Sequence, residues 1–296
     1  GLAVGQRVVI RRLLPDGLAT AALGAITPPA AATRTVPTQR GEAPVPIIAP
    51  QSPSDCFDAA LEAARIATTY RTPVFLLSDG YLANGSEPWQ VPNVADLPDL
   101  TVEFTTENNW TNEDGTTEFM PFARDPETLA RPWAIPGTPG LEHRIGGIEK
   151  ADITGHISYD PDNHDKMVRL RQAKIDGIAK TIPDLEVDDP SGEAKVLVIG
   201  WGSTFGPIGA ACRLVRDSGE HIAQAHLRHL NPFPANTGEV LKRYDRVIVP
   251  EMNLGQLAML LRAKYLVDAI SYNQVRGMPF KSQELESAIK DVIANV

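Results

Sequence analysis

A hydroxyl and a carboxylate, Ser78-Asp79, close the apolar run Pro73-Val74-Phe75-Leu76-Leu77. Open α/β sheets bind ligands beyond the carboxyl ends of their strands, so this pair is the foremost candidate for contact with a small molecule. A second candidate is Gly200-Trp201-Gly202-Ser203-Thr204-Phe205-Gly206, set between a strand and a helix, where amides and the helix N-terminus favour an anion. The dinucleotide fingerprint needs glycine where Phe205 stands, and Trp201 crowds a pyrophosphate. The next strand ends in Arg228-His229, not in the acid that holds the ribose of NAD. The loop reads first as a tight strand-to-helix turn, with an NADP-binding α/β protein as a rival. His164 with Asp160, Asp162 and Asp165 offers metal-ligand types, yet the same residues make a capped, solvated first turn, and no metal is expected here. His221, His226 and His229 surround one strand without repeating a ligand spacing. Cys56, at a predicted helix start, is open to a lowered thiol pKa; the plainer reading is a buried structural cysteine.

The elements that must position these residues follow from periodicity. Val45 to Ala49 is a short apolar run bounded by prolines, hence a buried strand. Ser54 and Asp55 can cap a helix through about Tyr70, whose Phe57, Ala60, Leu61, Ala64 and Ala67 recur at helical spacing. With the strand at 73–77 this makes a crossover unit and a parallel sheet. The stretch 90–190 is rich in proline and acid, with one helix predicted from Asp160 to about Ala179 and a linker from Pro183 to Gly192. Beyond it, strands are predicted at Val196–Ile199, His221–Leu227, Arg246–Pro250 and Leu266–Ile270. Helices are predicted at Pro207–Arg216, from Thr237 to about Lys242, at Leu257–Lys264 and at Ser282–Asn295. Continuous apolar strands alternating with helices give an open α/β sheet covered on both faces.

Composition bounds the rest. With 28 basic against 37 acidic side chains the net charge is −9, which excludes a general nucleic-acid binder. No apolar run approaches the ~20 residues of a membrane span, and no signal pattern opens the chain, so a cytoplasmic protein is expected. Two cysteines cannot by themselves hold an iron–sulfur cluster or a structural zinc.

Four stretches carry a family resemblance: Ser52-Pro53-Ser54-Asp55-Cys56-Phe57; Tyr70-Arg71-Thr72-Pro73-Val74 through Ser78-Asp79-Gly80-Tyr81-Leu82-Ala83-Asn84-Gly85-Ser86-Glu87-Pro88-Trp89; Gly155-His156-Ile157-Ser158-Tyr159-Asp160 through His164 and Met167; and Pro250-Glu251-Met252-Asn253-Leu254-Gly255-Gln256-Leu257. From about residue 41 to 296 the chain resembles the alpha subunits of 2-oxoglutarate:ferredoxin oxidoreductases, within the 2-oxoacid:acceptor oxidoreductases. The fold this implies is α/β: the remnant of a thiamine-diphosphate pyrimidine-binding domain, here 41–130, an irregular connection at 131–193, and a transketolase C-terminal-like open α/β domain at 194–296. The resemblance implies oxidative decarboxylation of a 2-oxoacid on thiamine diphosphate, with coenzyme A taking the acyl group and ferredoxin the electrons. It further implies that a beta subunit carries the diphosphate, its magnesium and the iron–sulfur cluster. The alpha subunit supplies the pyrimidine side, so Asp79, Tyr81 and Asn84 are the candidate cofactor-binding residues, facing that interface. Strand termination and a turn at Asn84-Gly85 account for the same residues without a ligand.

Gly1-Leu2-Ala3-Val4 fits the family while residues 5–40 do not, although the separation is right. Relatives carry a Gly-Pro-Ser-Thr-Gly run there. Ala, Arg, Pro, Thr and Gly dominate the block, as in GC-rich DNA read out of frame, so 1–40 is expected to be atypical and poorly ordered. Lacking the N-terminal gamma-type domain of these subunits, the chain reads as truncated and inactive alone. A non-catalytic interaction module that keeps the transketolase-like domain is the rival from another class. With two strands in 41–90, the first domain is expected to expose apolar surface without a partner, and 194–296 to fold by itself.

Overall fold

The computed structural model describes residues 43–296 and the backbone of two strands before them. These strands, β1 (Arg7–Arg12) and β2 (Thr20–Ala25), pair antiparallel, with Arg7 opposite Ala25 and Arg12 opposite Thr20. The expectation of poor order across 1–40 otherwise falls outside the described residues.

The predicted crossover is present. β3 (Ile47–Ile48) and β4 (Phe75–Leu76) are parallel neighbours joined by α1 (Asp55–Thr69). Ala59, Ile66 and Ala67 form the buried stripe of α1 and pack, with Tyr70, on Ile175, Ile178 and Ile182. After β4 the chain makes a short helix, α2 (Gly80–Asn84), then a long wrap containing the small hairpin β5 (Trp110–Thr111) and β6 (Thr117–Glu118). Helix α3 (Pro161–Gly177) lies where the sequence predicts it, with Asp160 accepting from the Asp162 N–H at its start. It buries Met167 and Ile175.

β7 (Val187–Asp188) opens the second half, in the stretch read as a linker. Leu185 is buried, and its backbone exchanges two hydrogen bonds with the Asn236 side chain, at 2.8 and 3.0 Å. Then follow β8 (Val196–Trp201), α4 (Phe205–Asp217), β9 (Ala223–Leu227), β10 (His229–Asn231), α5 (Thr237–Lys242), β11 (Arg246–Glu251), α6 (Gln256–Tyr265), β12 (Ala269–Asn273) and α7 (Ser282–Ile293). The main sheet has the order β12-β11-β8-β9-β7, parallel except for edge strand β7.

Every residue of β8 is buried, because both faces of a parallel sheet are covered. Leu197, Ile199 and Trp201 face one cluster with Leu227, Val249, Leu257 and Leu261. Val196 and Val198 face the other, with Ile208, Cys212, Val215, Leu285 and Ile289. Burial pushes the Cys212 thiol up to about 12, so it behaves as an apolar side chain.

Three local expectations need correction. Leu266, predicted to begin a strand, is instead the left-handed cap of α6 at φ 56°, its N–H donating to the Arg262 carbonyl; the strand starts at Ala269. Ser54 has helical dihedrals and makes no side-chain cap, and Asp55 is committed elsewhere, as described below. The first domain does not rest on two strands: β10 pairs antiparallel with β3 and completes a three-stranded sheet in the order β10-β3-β4. Only Arg228 separates β9 in one sheet from β10 in the other. Ile47, Ala49 and Leu77 consequently share a core cluster with Trp201, Leu227 and Phe233.

Candidate functional site

β3 and β4 run parallel, so their carboxyl ends deliver Gln51–Asp55 and Ser78-Asp79 to one edge. Asp79 is extended and caps α2, its Oδ1 accepting from the Leu82 N–H at 3.0 Å. Its Oδ2 accepts a short hydrogen bond from the Ser203 hydroxyl, on the turn after β8. The Asn84 side-chain amide donates to the Gly80 carbonyl at 2.7 Å, tying the end of α2 to its start. Glu87 returns to the same edge, where Oε1 accepts from the Ser52 hydroxyl and the Ser54 N–H, both at 2.5 Å. Those bonds lower the Glu87 carboxyl pKa. The Phe57 and Trp89 rings meet at 5.3 Å between centroids. Tyr81 is 55% exposed, and Trp89, Val91 and Val94 further along the chain are exposed as well.

Cys56 sits within this cluster without the chemistry of a nucleophile. Burial raises its thiol pKa; a hydrogen bond with Ser78 works downward, and the Asp79 and Glu87 charges push upward again. Burial and two acids thus outweigh the Ser78 hydrogen bond.

The three predicted cofactor-binding residues therefore lie on one capped turn. Asp79 already holds a protein donor on each oxygen, Asn84 is held by Gly80, and Tyr81 offers a free aromatic face. The groups described at this edge are carboxylates, hydroxyls and the rings of Phe57, Tyr81 and Trp89. That set suits a flat nitrogen heterocycle, while the Arg228 guanidinium beside it is taken up by Asp55. Among the described residues, no group of three or more His, Cys, Asp or Glu is arranged to hold a metal ion.

The glycine-bearing loop is closed by its own side chains. The Thr204 hydroxyl donates to the Trp201 carbonyl at 2.8 Å and lies 3.2 Å from the Trp201 N–H, which donates to it. A Cβ at Gly200 would stand 2.3 Å from Ile208 Cδ1, so this glycine serves close helix packing. His164 pairs with Glu149 at 2.6 Å and Asp165 with Arg169 at 2.7 Å, which accounts for the acidic helix start. The three histidines around β9 separate: His221 faces Glu193, His229 faces Glu62, and the half-buried His226 makes a T-shaped contact with the Phe205 ring, its Nε2 buried.

Burial drives the His226 pKa down to about 3, although a hydrogen bond with the Gly202 backbone works upward; Nε2 has no partner among the described residues. As pH falls through 6.5 the unfolded chain takes up a proton that the folded chain refuses until about 3, so stability is lost across that window. His226→Gln is expected to flatten the acid limb of urea midpoints between these pH values. Equal slopes in the two proteins would refute this account.

Residues missed from sequence complete the frame. Arg228 forms an ion pair with Asp55, which is buried and also accepts from the Gln51 N–H at 2.9 Å. Beside it, His229 Nε2 lies 3.2 Å from Glu62 Oε1. Burial would raise the Glu62 carboxyl, yet bonds from Arg65 and His229 and their charges hold it at about 2. Asp55 and Glu62 are two turns apart on α1, so consecutive residues between the sheets grip one helix face. The sequence signal was Arg228-His229 itself, visible only as the lack of a ribose-binding acid.

Glu251 is fully buried and acts as an anchor. Its Oε1 accepts from Trp201 Nε1 at 3.2 Å, Asn253 Nδ2 at 2.9 Å and the Leu257 N–H at 2.9 Å, and Oε2 from the Ala258 N–H at 3.1 Å. Asn253 Oδ1 takes the Gly255 and Gln256 N–H groups, at 2.7 and 3.1 Å. Gly255, at φ 85°, stands where a Cβ would meet Ser271 Oγ at 2.6 Å. The run Pro250 to Leu257 is thus a strand end that caps the following helix with its own side chains.

The chain is similar to known proteins over most of its length. Residues 25–158 match the family described as pyruvate flavodoxin/ferredoxin oxidoreductase, thiamine diphosphate-binding, and residues 194–286 match pyruvate:ferredoxin oxidoreductase core domain II. The 2-oxoglutarate oxidoreductase subunit KorA of Mycobacterium tuberculosis is 59% identical over 256 residues, 86% of this chain and 38% of that protein. A 2-oxoacid:ferredoxin oxidoreductase 2 subunit alpha of Aeropyrum pernix is 32% identical over 86% of this chain and 39% of its own. A solved 2-oxoglutarate:ferredoxin oxidoreductase of Magnetococcus marinus, with 2-oxoglutarate, coenzyme A and succinyl-CoA bound, superposes with a TM-score of 0.75 at 28% identity, covering 87% of this chain and 44% of that one. The chain spans about two-fifths of the length of the curated relatives it matches.

Proposed function

The chain belongs to the 2-oxoacid:acceptor oxidoreductase family, and from that premise we propose that it forms the pyrimidine side of a thiamine diphosphate site shared with a beta subunit. The reaction is the oxidative decarboxylation of 2-oxoglutarate to succinyl-CoA with ferredoxin as acceptor. The observation that carries the reading is the strand edge of Asp79, Tyr81 and Asn84, whose carboxylate, aromatic and amide groups suit a heterocycle and leave the diphosphate to another chain. Magnesium and the iron–sulfur cluster are assigned to that partner. The substrate follows the named relatives. No helix among the described residues is long and apolar enough to cross a membrane, and we assign the complex to the cytoplasm.

Thiamine diphosphate, when bound, supplies the nucleophilic carbon and the electron sink for loss of carbon dioxide. The exposed Tyr81 ring would lie against the pyrimidine. Asp79 and Asn84 would hold α2 so that this ring keeps its place, and Trp89, Val91 and Val94 would meet the partner subunit and exclude water. The closed Gly200 loop offers no cradle for NADP, which favours this reading over the dinucleotide alternative.

The test is co-purification with a cluster-bearing beta subunit, followed by thiamine quenching and dye reduction with 2-oxoglutarate or pyruvate. Cofactor binding that needs both chains, and turnover preferring 2-oxoglutarate, is the expected result. A beta subunit that binds and turns over equally well alone would overturn the proposal.

A further inference from the structure

We propose that Ser203, in the second domain, is a positioning residue for the candidate site in the first. Its hydroxyl sets the Asp79 carboxylate, and through it the turn that carries Tyr81 and Asn84. This rests on the proposed function for its catalytic meaning, but not for its geometry.

Helix α2 has five residues, too few to hold a helical turn by its own backbone bonds. Its order depends on the cap, and the cap depends on where the Asp79 carboxylate points. One oxygen receives the Leu82 N–H and the other receives Ser203, so rotation about the carboxylate axis is stopped from both sides. Ser203 is suited to be the fixed end. It is 4% exposed, and its turn, Gly202–Thr204, is pinned by the two Thr204–Trp201 bonds. Trp201 is in turn held by Glu251, which is bound to the first turn of α6. A chain of bonds thus runs from the core of the second domain to the cap of α2. Ser203 is almost fully buried and its side chain bonds Asp79, so its effect on the turn is exerted through that carboxylate.

Hydrogen exchange on the intact chain tests this without any cofactor. Ser203→Ala is expected to speed exchange at the Leu82 and Ala83 amides about tenfold, while β8 and α4 amides keep their rates. Ser203→Thr, which keeps the hydroxyl, should stay within about twofold of the parent. In the complex with a beta subunit, Ser203→Ala should raise half-saturation by thiamine diphosphate about tenfold and change kcat less than threefold, with Ser203→Thr restoring it. Unchanged exchange at Leu82, or faster exchange spread over the whole second-domain sheet, would overturn the proposal. So would tight cofactor binding by Ser203→Ala in a complex whose parent also binds. If the parent complex binds no thiamine diphosphate, the functional reading fails, and the exchange result still decides whether Ser203 positions α2.

Discussion

Glu251→Ala is expected to cost about 4 kcal/mol of stability. Four donors converge on this carboxylate: an indole N–H, a side-chain amide and two backbone amides of α6. Alanine leaves them facing a cavity in a site with no solvent access. Glu251→Gln keeps the volume but turns one acceptor into a donor aimed at a backbone N–H, and should cost roughly 2 kcal/mol. Urea unfolding followed by far-UV circular dichroism measures both. An alanine variant within 1 kcal/mol of the parent would mean that Glu251 does not anchor the helix.

Arg228→Met should cost roughly 3 kcal/mol, because it abandons a buried carboxylate rather than a surface one. Among the described residues, the Asp55 carboxylate would keep the Gln51 N–H as its hydrogen-bond donor. The double variant Asp55→Asn with Arg228→Met removes the orphaned charge and should recover more than half of the loss. A thermal series on the two single variants and the double variant checks the coupling. Additive effects would show that the pair does not act as a unit. The Glu62–His229 contact one step along is untouched by these substitutions, so the disturbance is expected to stay within the first turns of α1.

Where residues were apolar and periodic, the sequence was legible. Val196 to Ile199 and Arg246 to Pro250 read as strands because both faces of a parallel sheet are buried, and they are strands. The helix from Asp160 read equally well, since Asp160, Pro161 and the acidic first turn are local signals. β7 and β10 were not legible. Each has two or three residues and owes its existence to a distant partner, Ala225 for Val187 and Ile48 for His229. Leu266 misled for a related reason: its type favours a strand, while the end of α6 demanded a left-handed residue there. At the candidate site, Asp79 was visible as a strand terminus, whereas Ser203 lies 124 positions away in a loop whose glycines drew attention to phosphates instead. Signals that live within one turn can be read from sequence; contacts that close over a hundred residues cannot.

The single residue between β9 and β10 also limits how such a protein can be reshuffled. A crossover that imports residues 194–296 from a distant relative would import a strand of the other sheet with them. It would also separate Arg228 and His229 from the carboxylates on α1 that they grip. Chimeras joined in the proline-rich stretch before Val187 would thus inherit mismatched edges for the Ile47–Ile48 strand, even with the parallel sheet intact. Exchange between lineages is workable only when β3, α1 and β10 travel together. Discontinuous in sequence, these three form one heritable unit.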